Sequence, residues 1–351
     1  MAWSPTNLPK RTGVYTRFVD QTEPVPQGGP RGIVAIPLRR SDGTAEEKQV
    51  YTVERISEAI ELFGAENIDS IRLAFQHGAN KVLVYTLPAD ITDFDYSEMF
   101  DQLITHDFNV FVLDQDPDST LQADVLSFVQ NAAQEGKHFF AVFGGTAQED
   151  DDPELGNERS ISLKHEYVIN LINGVVQGEK RLTSAEFAPA IAGLVAGNPL
   201  NQTITYKTVQ ADDVTRRLKN SEFEAAIEAG SLALLYDGGQ VKVEKGITTS
   251  GDNIRSIQTR HAILNDIPRM LRSQMLAQVD NSEDGRASVR AFIMRYLESL
   301  GQNGVINMDP GNEPAVYDDP DNPPTEDAAF FVIEYTDQYS MERIFLTVVR
   351  R

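Results

Sequence analysis

The sequence predicts an α/β protein with α+β character: an open mixed sheet flanked by helices, a small N-terminal α/β domain and extended terminal strand arms. Short apolar runs of strand length alternate with helical patterns between residues 31 and 143, and most of those helical patterns end at a glycine. A strand, a helix and a second strand joined by short connections require a parallel, right-handed crossover. Strand-like stretches at residues 13–19 and 341–349 lie outside this alternation. The prediction is therefore a helix-covered sheet with arms at its ends.

The composition is that of a folded globular protein and excludes several functions. The 351 residues are 41% hydrophobic and 24% charged, a length that suggests about two domains. With 31 basic and 53 acidic residues the net charge is −22, whereas a nucleic-acid partner requires a basic surface. The absence of cysteine excludes disulfides, thiol nucleophiles and thiolate metal ligands. We find neither a signal peptide nor an apolar run of the roughly 20 residues that span a bilayer. We therefore expect that the chain is made in the cytoplasm and does not insert into a membrane.

The first 20 residues are predicted to form an extended arm. Pro5 and Pro9 disfavour a helix, and residues 13–19 have the pattern of a strand with apolar side chains on both faces. Prolines and glycines between residues 24 and 30 form a stiff linker to the body. From the residues alone, this segment is an edge strand of the first domain. It consists of Gly13, Val14, Tyr15, Thr16, Arg17, Phe18 and Val19.

Residues 21–88 are predicted to form a small α/β unit, and residues 89–335 the main body. The small unit has strands at 31–38, 50–53 and 80–85 and helices at 57–63 and 68–77. The main body begins with helix 95–105, strand 109–113, helix 120–135 and strand 138–143, a βαβ arrangement. It continues with a strand near 165–172 and a helix at 184–196. A helix at 254–279 that is interrupted near Pro268, a helix at 286–300, a Pro- and Asp-rich loop at 309–327 and a strand at 330–335 complete it.

A hairpin preceded by a helix forms the centre of the main body, at residues 221–250. Gly230 ends the helix, because glycine adopts the left-handed conformation without a Cβ penalty. The sequence Asp237-Gly238-Gly239 is typical of a tight turn between two short strands. This hairpin contains no nucleophile, metal-ligand set or phosphate-binding loop. Its strand residues include Leu232, Leu234, Tyr236, Val241 and Val243.

The chain ends in a predicted strand at residues 341–349 that is apolar on both faces. A terminal strand of this kind promotes aggregation unless another part of a protein covers it. If the strand belongs to the sheet of its own chain, it is a central strand. The residues assigned to it are Arg343, Ile344, Phe345, Leu346, Thr347, Val348 and Val349.

Three stretches imitate ligand-binding motifs without completing them. Asp114, Asp116 and Asp118 are spaced like the start of a calcium loop, but the sixth position is Ser119 and the twelfth is Val125. Residues 144–146 follow a strand as a phosphate loop does, yet they lead into an acidic run, and residues 174–180 lack the required Ser or Thr. The five histidines are widely spaced in the sequence. We therefore predict no catalytic residue, no cofactor and no metal. The alternative is an α/β enzyme or nucleotide-binding protein with its site near Asp114 and Gly144.

Several segments resemble the sheath proteins of contractile tails. The first is GVYT at 13–16, with Thr12 where that family usually has proline, and the second is HGANKVLVYTL at 77–87. The third is the central helix and hairpin, whose exit VKVEKGITT at 241–249 matches the family pattern, and the fourth is SMERIFLTVVRR at 340–351. Such proteins build the sheaths of myophages, of phage-like elements in bacterial genomes and of R-type bacteriocins. The matches span nearly the whole chain.

This resemblance implies a structural protein rather than an enzyme. It implies stacked six-subunit rings around a tail tube, contraction that drives the tube through a cell envelope, and no cofactor. The implied partners are further copies of the chain, the tube protein, and the baseplate and tail terminator proteins, in a particle assembled in the bacterial cytoplasm and released by lysis. Residues 1–20 and 336–351 are then arms that exchange strands between subunits, and the hairpin at 232–244 receives them. A non-contractile assembly module is the third possibility.

Overall fold

The computed structural model describes residues 28–39, 42–92, 94–115 and 117–350. The predicted N-terminal arm, with its strand at residues 13–19, lies outside the described residues.

A six-stranded sheet forms the centre of the protein. Its strands are β1 Ile33–Leu38, β2 Val50–Val53, β3 Lys81–Thr86, β4 Val110–Val112, β5 Phe140–Phe143 and β6 Val168–Asn170. They lie in the order β2-β3-β1-β4-β5-β6, and only β2 is antiparallel to its neighbour; the other pairs are parallel. All residues of β1, β4, β5 and β6 are buried, as their continuous apolar runs predicted. Strands from both sides of the boundary predicted at residue 88 share this sheet, because β3 and β4 both pair with β1.

Seven helices between residues 56 and 197 cover the sheet, and the seventh, Ser184–Gly197, is almost entirely buried. They are α1 Ile56–Phe63, α2 Asp69–Gln76, α3 Tyr96–Leu103, α4 Ser119–Gln134, α5 Ala147–Asp151, α6 Pro153–Ser162 and α7 Ser184–Gly197. Helix α7 packs against α2 and the sheet. Its contact with α2 requires glycine, because a Cβ on Gly193 would lie 2.2 Å from the carbonyl oxygen of Ala74. The sequence did not predict α5 and α6.

Two small sheets lie beside the main one. Strands β7 Val175–Gln177, β8 Lys180–Leu182 and β10 Asp213–Val214 form the first. Strand β9 Thr208–Val209 joins the predicted hairpin, β11 Leu234–Asp237 and β12 Gln240–Val243, in the second. Helix α8 Asn220–Ala229 precedes the hairpin and ends at Gly230 in the left-handed conformation, as predicted.

The C-terminal third has a hydrophobic core of its own. Helix α9 Ile254–Gln274 passes through Pro268 without a break, so the interruption predicted there is wrong, and α10 Glu283–Gln302 follows it. Strands β13 Ala315–Asp318 and β14 Phe331–Glu334 pair as an antiparallel hairpin. Strand β13 lies inside the stretch predicted to be a loop. In the described ranges, no helix is long and apolar enough to cross a membrane.

Candidate functional site

The end of the chain is an exposed apolar segment. Residues 343–350, named the C-terminal segment below, form no helix or strand and make no backbone hydrogen bond to the rest of the described chain. Its apolar side chains follow one another along the chain and are largely exposed, and contiguous apolar patches of this kind mark interaction sites. The exposed fractions are Ile344 69%, Phe345 88%, Leu346 84%, Val348 92% and Val349 75%. Within the described residues, the alternative prediction of a central strand in the protein's own sheet therefore finds no support. A strand needs a neighbouring backbone, and no described part of this chain supplies one.

The predicted receiving hairpin, β11–β12, turns its apolar side chains into the protein. Leu232, Leu234, Val241 and Val243 are fully buried in the main core, and Tyr236 alone of the five is exposed. Gly238 and Gly239 form the turn with φ of 58° and 82°, which the Gly-Gly pair predicted. The Tyr236 ring lies under the Arg217 guanidinium, 4.2 Å from ring centroid to Cζ. The hairpin is thus part of the scaffold.

Both edges of this hairpin are largely occupied by the same chain. Strand β12 pairs with β9 on one side. On the other, the Leu232 N–H donates to the Asn170 carbonyl over 2.9 Å, and the Asn173 side chain binds the N–H and the carbonyl of Leu234 over 2.9 and 2.8 Å. On this edge, the backbone groups that the described residues leave unpaired begin at Tyr236. The receiving role of this hairpin stays a prediction, with little edge available for it.

The β13–β14 hairpin has two free edges. Residues 315–318 and 331–334 make no backbone hydrogen bond outside their own hairpin within the described residues. A two-stranded sheet is marginally stable alone, and an open edge is a template for another strand. Val316 and Ile333 pack on the C-terminal core and fix the hairpin to α10. This hairpin is therefore better suited to receive a strand than β11–β12.

The position of the alternative enzyme site is filled by the protein itself. Asp114 Oδ1 accepts a hydrogen bond from Ser70 Oγ over 2.5 Å, and Oδ2 accepts one from the Arg39 backbone over 3.2 Å. A Cβ on Gly144 would lie 2.1 Å from the Ser184 carbonyl carbon, so the first residue of α7 closes the space a phosphate needs. Asp118 caps α4 by accepting from the Thr120 N–H over 2.8 Å. Among the described residues, no group of three His, Asp or Glu side chains is placed to hold a metal.

A buried polar network continues from this point and has a structural role. Asp150 accepts hydrogen bonds from the Ser184 N–H over 2.7 Å and from Ser184 Oγ over 2.5 Å. Burial raises the pKa of Asp150 to about 7. The Arg159 guanidinium, whose pKa burial lowers, donates to Asn170 over 2.7 Å and to Glu149 over 2.7 Å. The network joins α5, α6 and α7 to the end of β6.

Three histidines meet around one tyrosine, which their spacing in the sequence did not reveal. The ring centroids of His138, His165 and His261 lie 5.8, 5.2 and 4.3 Å from that of Tyr167. Burial lowers the pKa of all three, most strongly that of His261. The Nε2 atom of His261 is buried and has no hydrogen-bond partner. The cluster is therefore a neutral part of the core that acid would charge.

Comparisons with known proteins agree with this geometry. Residues 89–249 match the family model described as the phage tail sheath protein central domain. The chain is 23% identical over 158 residues to a tail sheath protein of Clostridium phage phiCD119, covering 42% of this chain and 44% of the relative. It is 25% identical over 244 residues to an uncharacterized protein of Bacillus subtilis (strain 168), covering 63% of this chain and 49% of the relative. The chain thus spans less than half the length of these curated relatives.

Solved structures show the same fold. The sheath tail protein of Desulfitobacterium hafniense superimposes with a TM-score of 0.70 at 20% identity, covering 93% of this chain and all (100%) of that one. The helical sheath of the anti-feeding prophage, in its contracted state, gives a TM-score of 0.70 at 16% identity, with 97% and 100% covered. These matches confirm the predicted mixed α/β fold and the resemblance to sheath proteins.

Proposed function

We propose that this chain, whose residues 89–249 match the family model of the phage tail sheath protein central domain and whose fold is that of sheath tail proteins, is the sheath subunit of a contractile injection system. In this role it assembles with copies of itself as stacked six-membered rings around a tail tube, and contraction drives the tube through a cell envelope. The observation that carries the proposal is an exposed apolar C-terminal segment on a body of this fold.

The C-terminal segment links subunits by adding a strand to a neighbour. Burial of a large apolar side chain contributes about 1.5–3 kcal/mol, and this segment exposes five of them. A strand added to a free edge also satisfies backbone donors and acceptors. We assign the receiving edges to β13 or β14 of the neighbour. The N-terminal strand, residues 13–19, completes the same small sheet.

Strand linkage of this kind is suited to contraction. Linked arms hold neighbouring subunits together while their bodies move as rigid units. Contraction without a fuel requires a metastable extended sheath that reaches lower free energy when new contacts form between bodies. The partners in this proposal are the tube, baseplate and tail terminator proteins, with assembly in the bacterial cytoplasm and release by lysis. It needs no catalytic residue and no nucleic acid.

Designed disulfides test the linkage, because the natural chain has no cysteine. A chain with both Leu346→Cys and Val332→Cys should give, after assembly and oxidation, a ladder of covalent multimers. Each single variant is the control and can reach covalent dimers at most. Leu346→Cys with Tyr236→Cys examines the β11–β12 hairpin in the same way. A chain that stays monomeric in solution, or an assembly that gives no ladder with either pair, would contradict the proposed linkage.

A further inference from the structure

The chain just before the C-terminal segment is held firmly by the body. The Asn307 N–H donates to the Thr336 carbonyl over 2.8 Å, and Asp337 forms a β-bridge with Ile306. The Asp337 carboxylate accepts a hydrogen bond from Ser256 in the first turn of α9. The path from β14 to the C-terminal segment is therefore fixed along the start of that helix.

Arg255 is the buried centre of this attachment. Its side chain belongs to α9 and is almost wholly enclosed, with 6% of the residue exposed. Nη1 donates to Ser340 Oγ over 2.9 Å, and Nη2 donates to the Gly304 carbonyl over 2.8 Å. Nε donates to the Leu200 carbonyl over 3.3 Å. One guanidinium thus joins the end of the chain to two loops of the body, in the fixed fork geometry that makes arginine suited to such sites.

Glu342 makes the last contact. Its Oε1 accepts hydrogen bonds from Thr205 Oγ1 over 2.8 Å and from Asn253 Nδ2 over 3.2 Å. Asn253 is also the N-cap of α9, since its Oδ1 accepts from the Arg255 N–H over 2.9 Å. The carboxylate therefore lies at the N-terminus of a long helix, where the helix dipole favours negative charge. Thr205 Oγ1 also accepts from the Gly246 N–H over 3.0 Å, which connects this contact to the exit of the β11–β12 hairpin.

We propose that Arg255 and Glu342 form a clasp that fixes where the C-terminal segment leaves the body. This inference rests on the proposed function, for which it supplies the positioning residues. The clasp ends at Glu342, and from Arg343 onward the chain is free to bind another subunit. A force applied to the bound segment is then transmitted to α9 and to the loops at residues 200–205 and 304, and it does not separate β14 from β13.

The geometry explains why such a clasp is needed. Each residue released from the body lengthens a tether by up to about 3.3–3.6 Å. Residues 336 and 337 are held separately, so opening the clasp would release residues 338–342 and add roughly 17 Å of slack by that measure, which exceeds the spacing of several strand residues. A linking strand with that freedom could pair in several registers. With the clasp closed, only the residues after Glu342 adapt to the neighbour.

Limited proteolysis of the isolated chain measures the clasp directly. Trypsin cleaves after Arg343, next to the clasp, and after Arg350, at the free end, which serves as the internal reference. Cleavage after Arg343 requires the residues just before it, up to Glu342, to leave the body, because those after it are already free, so its rate reports opening of the clasp. Rates are divided by those of synthetic peptides of residues 336–351 with the same substitution, which removes the preference of trypsin for the sequence itself.

Glu342→Ala should raise the corrected rate after Arg343 about tenfold, the change that corresponds to ~1.4 kcal/mol. The rate after Arg350 and the melting temperature should stay unchanged. Glu342→Gln keeps an acceptor oxygen and should return most of the protection. Ser340→Ala should also increase cleavage, because it removes a contact of Arg255. The matched control is Glu298→Ala, which changes an exposed glutamate on α10 and should behave like the natural chain.

The outcomes separate the clasp from the proposed function. If Glu342→Ala and Ser340→Ala leave the corrected rate at its natural value in a folded chain, the clasp is refuted, whether or not the chain assembles. If the rate rises but the natural chain forms no multimers, the clasp stands and the sheath function fails. In assemblies, Leu346→Cys is paired in turn with a single cysteine at successive positions of the receiving strand. The clasp predicts that one position cross-links in the natural background and that Glu342→Ala lets the neighbouring positions cross-link as well.

Discussion

Replacing Leu346 by proline should affect the assembly strongly and the isolated chain hardly at all. Leu346 is 84% exposed, and its backbone makes no hydrogen bond to the described chain. The free energy of unfolding of the isolated chain should therefore change by less than about 0.5 kcal/mol, as for other surface substitutions. In the assembly, where we expect a paired strand, proline removes a backbone donor and clashes with the pairing geometry.

The expected magnitude follows from these two environments. Proline removes a backbone donor from the ladder and leaves its acceptor unsatisfied, which costs about 1–3 kcal/mol, and the lost burial of leucine adds about 1.5–3 kcal/mol. Together these contributions raise the dissociation constant of each contact by about 60-fold or more, since ~1.4 kcal/mol is a factor of ten. Rings and tubes should not form at concentrations where the natural chain assembles fully.

The assay combines urea unfolding of the isolated chain with sedimentation of assemblies. Leu297, which is fully buried in the C-terminal core, supplies the opposite control. Leu297→Ala should cost the isolated chain about 2–5 kcal/mol. If Leu346→Pro abolishes cooperative unfolding, the segment belongs to the core of its own subunit. If it assembles at the natural concentration, the segment has no part in the linkage.

Four further predictions concern the arm, the charge and two buried groups. Deletion of residues 1–20 should leave a folded, soluble monomer by circular dichroism and gel filtration, and an aggregated product would place the arm in the core. Because the net charge is −22, assembly should strengthen as salt rises from 0.01 to 0.1 M, where the Debye length falls to about 10 Å; an unchanged light-scattering threshold would mean that acidic surfaces are already paired. Burial raises the pKa of Asp150 from 3.8 to about 7, so its contribution to stability is present below pH 3.8 and is lost as pH rises toward 7. Asp150→Asn should therefore reduce the fall in the free energy of unfolding between these pH values, and an unaltered slope in urea titrations would contradict this. Burial lowers the pKa of His261 from 6.5, so its contribution to stability is present above pH 6.5 and is lost below it by up to ~1.4 kcal/mol per pH unit. His261→Phe should reduce the fall in the free energy of unfolding between pH 6.5 and 5, and a variant whose free energy falls as much as that of the natural chain would disprove this role.

The parts of the fold that the sequence predicted are those with a strong local pattern. Strand β1 is a continuous apolar run, and α8 ends at a glycine that takes a positive φ. Helix α5 was missed because residues 147–151 are acidic and lack apolar periodicity. The signal for it was the capping box, in which Thr146 Oγ1 accepts from the Glu149 N–H and the Glu149 side chain accepts in return. Strand β13 was missed because prolines and aspartates surround it.

Features that depend on distant residues could not be predicted. His138, His165 and His261 come from separate segments and meet because β5, β6 and α9 are neighbours. The residue pattern of the C-terminal segment gave its apolar character but not its partner, since an apolar strand looks the same in its own sheet or in that of another subunit. The free edges of β13–β14 and the occupied edges of β11–β12 are likewise properties of the folded chain.

Negative-stain electron microscopy of the purified 351-residue chain, concentrated alone and after coexpression with the proposed tube protein, tests the central claim most directly. The account predicts rings with six-fold symmetry that stack into hollow tubes, and it predicts their loss when residues 343–351 are deleted from a chain that still unfolds cooperatively. Discrete particles of a single subunit under all these conditions, or tubes that form equally well without the C-terminal segment, would contradict it.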